Sequence, residues 1–210
     1  MSFGAIAASY ITLAQPSGIL QQNSGIWTGT TMSVSLLGST APTSTITLIV
    51  AGNTIVPTPA GWTLRESQVE EMGQYLFTRT GGTNSWNITT NNGVGTWYAV
   101  EIGGAYDISA SAHNTDGSHE YATPALTPTA GPRLLLASIA GASPIGVYTI
   151  TDWTDSFTEM ADLGNPTDDN PMQGVAVRTV TADGVTAYGT TATYSQSIST
   201  RSAIIASFTV

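Results

Sequence analysis

PTPAGWTL, residues 57–64, is the stretch that decides the fold of this chain. Pro57 and Pro59 cannot donate to a sheet ladder, so they hold the N-terminal side of a turn out of any central strand. The Gly61-Trp62 pair then launches a run of alternating character. About ninety residues on, YTITDWTDSF (148–157) again drops a tryptophan just after a turn-like stretch. Each ring is either a core plug or a platform for a ligand.

Outward from these turns the chain reads as short β-rich runs separated by Gly, Pro, Asn, Asp and Ser. They are MSVSLLG (32–38), TITLIV (45–50), WTLRE (62–66), QYLFTRT (74–80), SWNITT (85–90) and TWYAVEIGG (96–104). After a polar loop come RLLLASIA (133–140), VYTITDW (147–153), MQGVAVRTV (172–180), VTAYGTTATYS (185–195) and SAIIASFTV (202–210). No sustained i, i+3, i+4 stripe with caps marks a helix. Tyr98, Val100 and Ile102 fall on one face of their run, with Trp97, Ala99 and Glu101 opposite. Ile204, Ala206, Phe208 and Val210 alternate in the same way, as antiparallel sheets with one buried face do. TGGTN (80–84) and ADG (182–184) supply the positive-φ residues that tight hairpins need. The reading is an all-β, antiparallel two-sheet sandwich of jelly-roll type over residues 31–210.

The halves read alike. Each runs aliphatic strand, turn, Trp strand, Arg strand, Ser/Thr-rich strand, aliphatic strand, pairing TLIVAG with LLLASIAG, GWTLRES with DWTDSF, and YLFTRT with GVAVRTV. Identity is low, and both a duplication and a chance likeness of β-rich segments fit it. A duplication would make Trp62 and Trp153 equivalent core corners. Residues 1–30 are apolar, Gly/Gln/Ser-rich and poorly periodic. They read as an extended N-terminal arm on a neighbouring chain, with an added edge strand as the other reading. Phe3, Tyr10, Ile11, Leu13, Ile19, Leu20 and Trp27 are its interface candidates. Trp97, opposite the aliphatic face of its strand, joins them as a second packing surface or an interface, where aromatic residues are enriched.

Composition narrows function. Charged residues are 9% of the 210, against roughly 25% in ordinary domains. Net charge is −9, and the five cations are all arginine: Arg65, Arg79, Arg133, Arg178 and Arg201. Such a chain cannot neutralise a run of phosphates, so nucleic acid and anionic membrane are set aside as partners. There is no cysteine, hence no disulfide, thiol nucleophile or thiolate metal site. The start lacks a charged n-region and no apolar run spans a bilayer, which suits synthesis in a cytosol without a Sec-type address.

Catalytic and metal patterns stay at background. His113, Asp116, His119 and Glu120 are ligand types, but their spacing matches no zinc arrangement. Asp152, Asp155, Glu159, Asp162, Asp168 and Asp169 crowd residues 151–171. They lack the ordered EF-hand loop, so a calcium site stands beside a solvated acidic loop. No Gly-x-Ser-x-Gly elbow is present, and no carboxylate pair stands out as a glycosidase couple. No enzyme activity and no cofactor are expected. Trp62, Trp86 and Trp153 read as core.

The order of these runs, with Pro59, Gly61, Trp62 and Thr63 in a Pro-x-Gly-Trp-Thr turn, resembles β-sandwich minor tail proteins of tailed phages infecting actinobacteria. Trp153 and Thr154 match the recurrence of that signature, with Asp152 where the glycine would stand. The resemblance covers residues 30–210. It implies a non-enzymatic virion structural protein, made in the host cytoplasm, that contacts itself or a neighbouring capsid or tail chain. A capsid decoration or head-fibre protein is the nearest variant, and a carbohydrate-binding adhesin module, with a host-surface glycan as partner, is the rival class.

Overall fold

A computed structural model describes residues 16–69, 72–114, 117–143, 149–164, 170–198 and 200–210. The first five strands are β1 (Ile19–Ser35), β2 (Thr45–Gly52), β3 (Thr63–Val69), β4 (Gly73–Thr80) and β5 (Ser85–Ile102). Then follow β6 (Tyr106–Asn114), β7 (Glu120–Ala122), β8 (Gly131–Ser143), β9 (Ile150–Trp153) and β10 (Thr158–Gly164). β11 (Asn170–Ala182), β12 (Thr191–Tyr194) and β13 (Thr200–Thr209) complete the chain. All paired strands are antiparallel, and the architecture is an all-β sandwich.

One sheet runs β1-β5-β2-β4-β3 and the other β6-β13-β8-β11-β10. Taken in chain order within each half, these are the same order, first-fifth-second-fourth-third. Registers agree residue by residue. Ala51 pairs with Gln74 as Ala140 pairs with Gln173, and Thr45 with Ile102 as Leu134 with Phe208. Two bulges recur in place. β3 bulges between Leu64 and Glu66 opposite Phe77 and Leu76, and β10 between Glu159 and Ala161 opposite Ala176 and Val175. The shift between Ile19 and Gln21 opposite Ile102 and Glu101 repeats as that between Phe208 and Ser207 opposite Tyr106 and Ile108. An inserted residue bends and twists a strand, so shared bulges mean shared shape. Because each sheet comes from one contiguous half, the strand interleaving of a jelly roll is not found among the described strands.

The sheets lie face to face with β1 near β10 and β3 near β6, as a twofold rotation would place them. Between them Ile49, Leu76, Tyr98, Val100, Leu136, Val175 and Phe208 build the central core. Burial of such side chains contributes roughly 1.5–3 kcal/mol each. At one end a fully buried polar bridge crosses the seam. Gln74 Nε2 and Gln173 Nε2 both donate to Ser138 Oγ (2.6 and 3.0 Å), and Thr96 Oγ1 donates to Gln173 Oε1 (3.1 Å). Among the described residues Gln74 Oε1 is left without a partner in this bridge, and the bonds that do form favour one register between the sheets.

Each outer face is covered too, and the halves do this differently. On the first sheet Tyr75, Phe77 and Trp97 fill the layer beneath Met32, Val34 and Ile88 from the far ends of β1 and β5. On the second the equivalent positions are Gly174, Ala176 and Ala203. The space goes to Ile150, Trp153, Tyr121 and Tyr194, carried by a small sheet of order β7-β12-β9. A Cβ on Gly174 would meet Ile150 Cδ1 at 1.8 Å.

The expected N-terminal arm needs correction. Residues 19–30 belong to β1 and pair with β5, while Phe3, Tyr10, Ile11 and Leu13 lie outside the described residues. Polar, half-buried positions such as Gln21, Gln22, Asn23 and Ser24 blur the alternation of this edge strand. Trp27 (4% exposed) and Trp97 (5%) are interior and present no surface to a neighbour. Trp27 sits opposite Gly95 and Trp97 opposite Gly25, each ring lying over the bare glycine. Ile19 is buried as well, and Leu20, at 51%, is the one exposed member of the four.

Candidate functional site

The β3 edge of the sandwich carries the site. The turn before β3 closes with Trp62 N–H donating to Pro59 O (3.1 Å), and Gly61 takes φ 78°, a conformation glycine reaches without strain. Trp62 then meets Trp86 edge-on at 5.3 Å. The register skip in β3 leaves Arg65 as the unpaired extra residue, and bulges re-aim side chains in this way. Arg65 Nε donates to Thr78 Oγ1 (2.7 Å), and its guanidinium carbon lies 4.4 Å from the Tyr106 ring centre.

These groups bound a groove of about 330 Å³ between β3, β4 and the start of β6, lined by Thr45, Thr63, Thr80, Ala105 and both Arg65 and Arg79. Arg79 is placed by stacking near Trp62 and Trp86 (5.5 and 5.4 Å) and by Nε donating to Thr80 O (3.3 Å). Among the described residues no carboxylate lines the groove. Glu66 accepts from Ser111 Oγ (3.0 Å) on β6 instead. Among the described residues the ion pair that forms is Arg133 with Asp107 (3.2 Å), so Arg65 and Arg79 face the groove without an anionic partner there.

Two carboxylate latches, one buried and one half-buried, tie loops to the sheets at equivalent places. Glu101 accepts from Ser44 Oγ, Gln21 Nε2 and Ala41 N–H, each at 2.6 Å. Burial pushes its carboxyl up, and these three bonds overcome that and hold it below the ordinary glutamate range. In the second half Asp107 accepts from Arg133, Thr129 and Ser207, the last standing where Glu101 stands in the first.

The acidic segment is partly structural. Trp153 Nε1 donates to Glu159 Oε2 (3.2 Å) and Ile150 N–H to Asp162 Oδ2 (3.1 Å), so both carboxylates fasten β9 to β10. Asp162 is exposed as a residue, but desolvation of its carboxyl against β9 lifts it to about 6 against the Ile150 bond, with the Glu159 charge adding to the rise. The unfolded chain therefore releases this proton first, near the ordinary value of about 3.9. Stability should fall as pH rises through the window from about 4 to about 6. Asp162→Asn keeps an acceptor for Ile150, so its Tm is expected above wild type at pH 7.5, with the gap closing by pH 4. Parallel Tm curves across that window would refute the assignment.

Asp152 and Asp155 are exposed, and Asp168 and Asp169 lie outside the described residues. His113, on β6, lines a cavity of about 450 Å³ with Ser118, Glu120, Tyr121 and Thr191. His119 is exposed and does not line it, and Asp116 lies outside the described residues. Among the described residues no three His, Asp or Glu side chains come together to hold a metal ion. No helix there is long and apolar enough to cross a membrane.

Trp62 and Trp153 are buried, as their core reading expects, but they are not equivalent. The counterpart of Pro59-Ala60-Gly61-Trp62-Thr63 is Thr154-Asp155-Ser156-Phe157-Thr158, closed by Phe157 N–H to Thr154 O (3.2 Å) with Ser156 at φ 59°. Trp153 belongs to β9, inserted before that turn. Sequence reasoning missed Arg65 and Arg79 as a site. The signal was there in two cations on consecutive strand runs, Arg65 on β3 and Arg79 on β4, but only the bulge aims one of them into the groove. No protein-family model, curated protein or solved structure matches the chain.

Proposed function

We propose that the chain is a non-enzymatic structural protein of a tailed-phage particle, a minor tail protein acting through contacts with itself or other virion proteins. One observation carries the reading. The turn on which the resemblance rests recurs in both halves at the same register, as PAGWT (59–63) and TDSFT (154–158). The weakly charged, Ser/Thr-rich composition suits packing among other chains, and residues 1–15, with Phe3, Tyr10, Ile11 and Leu13, are proposed to reach a neighbour. The test is quantitative mass spectrometry of purified particles split into head and tail fractions. A few copies per particle in the tail fraction are expected. Many copies in the head fraction would make it a decoration protein, and absence from both would overturn the virion reading.

A further inference from the structure

We infer that the groove bounded by Arg65, Thr78 and Tyr106 binds the carboxylate of an acidic saccharide. The inference rests on the groove and not on the particle assignment. The matched registers give each groove position a counterpart at the opposite corner of the sandwich. Thr45 corresponds to Leu134, Arg65 to Met160, Thr78 to Val177 and Tyr106 to Ile19. Leu134, Val177 and Ile19 are members of the central core, and Met160 packs against it. One corner is thus closed by four apolar side chains, which is all the fold requires. At the other, polar or amphipathic groups occupy all four places and leave about 330 Å³ open to solvent.

The groups left facing that space define the ligand. Arg65 commits Nε to Thr78, and its two Nη nitrogens make no hydrogen bond within the described residues. That edge of a guanidinium matches a carboxylate with two parallel N–H···O bonds. Arg79 adds a second positive charge to a corner of a chain whose net charge is −9. The Thr63 and Thr80 hydroxyls can each donate and accept, as ring hydroxyls of a sugar require. The volume lies at the small end of ligand sites, about 300–1,000 Å³, and suits one sugar ring rather than a folded segment. The tryptophans form no exposed row, so recognition here proceeds by charge and hydrogen bonds rather than by stacking on indoles.

The test is an amide-resolved NMR titration of the full chain with D-glucuronate at neutral pH. Saturable shifts are expected at Thr63, Arg65, Thr80 and Ala105, with none from D-glucose at equal concentration. Arg65→Met installs the residue used at the opposite corner. It should keep the fold while weakening glucuronate binding about tenfold or more, the range for a lost charge-assisted pair. Arg178→Gln, at the counterpart of Arg79, should leave binding unchanged. The inference is overturned by no saturable shift, by unchanged binding in Arg65→Met, or by inorganic phosphate moving the same amides as strongly as glucuronate. Loss of self-association in Arg65→Met without any glucuronate response would assign the groove to a protein carboxylate and overturn it as well.

Discussion

Glu101→Ala should lower the stability of the chain by about 2–4 kcal/mol, from roughly 1–3 kcal/mol for a buried donor left bare plus the lost bonds to a charged acceptor. Glu101 is 2% exposed and has no cation beside it among the described residues, so its charge is held by donors alone. Removing it strands the Ala41 N–H, whereas Ser44 retains Ala41 O (2.8 Å) and Gln21 retains Gly38 O (3.2 Å). The loop from Leu36 to Ser44 then loses its anchor to β5. Glu101→Gln keeps one acceptor oxygen and should cost less. Because the folded carboxyl titrates below its ordinary value, its contribution is present above the unfolded pKa and fades as pH falls through the folded one. Chemical denaturation at pH 7 and pH 3.5 checks this. An equal gap between wild type and Glu101→Gln at both values would show that packing, not charge, holds the loop.

Gly174→Tyr should undock the small sheet. The change imports the residue that the first half carries, Tyr75, into a place already taken by Ile150 and Trp153. Gly174→Ala alone should cost about 1–3 kcal/mol, the usual range for overpacking, since Ile150 Cδ1 must move away from a new Cβ. The tyrosine has no room unless β9 leaves, and Trp153 would then meet water. A red shift and easier quenching of tryptophan emission, with the five-stranded sheets intact by amide exchange, is the expected result. Unchanged emission with a cooperative transition near that of wild type would mean that the outer layer can be rebuilt around a larger ring.

Much of this architecture was legible in the chain. LIVAG against ASIAG and FTRT against AVRT put β2 with β8 and β4 with β11, and those pairings match the observed registers. The tryptophan pairing misleads because the halves share backbone geometry at the turn rather than the same aromatic residue. What the halves share at the turn is a positive φ followed by an aromatic and a threonine, met by Gly61-Trp62 in one and Ser156-Phe157 in the other. Trp97 reads from alternation as a second packing surface or an interface, and it is the packing surface that forms. Here a distant ribbon of the same sheet covers the second face, and no local pattern records that. The groove was illegible for a related reason. Arg65 alternates like its neighbours until a bulge, which only the partner strand defines, turns it inward.

The division of each sheet to its own stretch of chain also bears on how the molecule is made. Every strand of the first sheet precedes Gly103, and one of its two covered faces is completed by residues of the same stretch. A nascent chain can therefore finish that sheet while the remaining half is still being translated, as units released early from the ribosome do. Only the central face must wait, with Ile49, Leu76, Tyr98 and Val100 uncovered until the second sheet arrives. During that interval the growing polypeptide offers a ready apolar face to any identical neighbour on the same message. Synthesis faster than pairing within the chain would then favour exchange of halves between two copies.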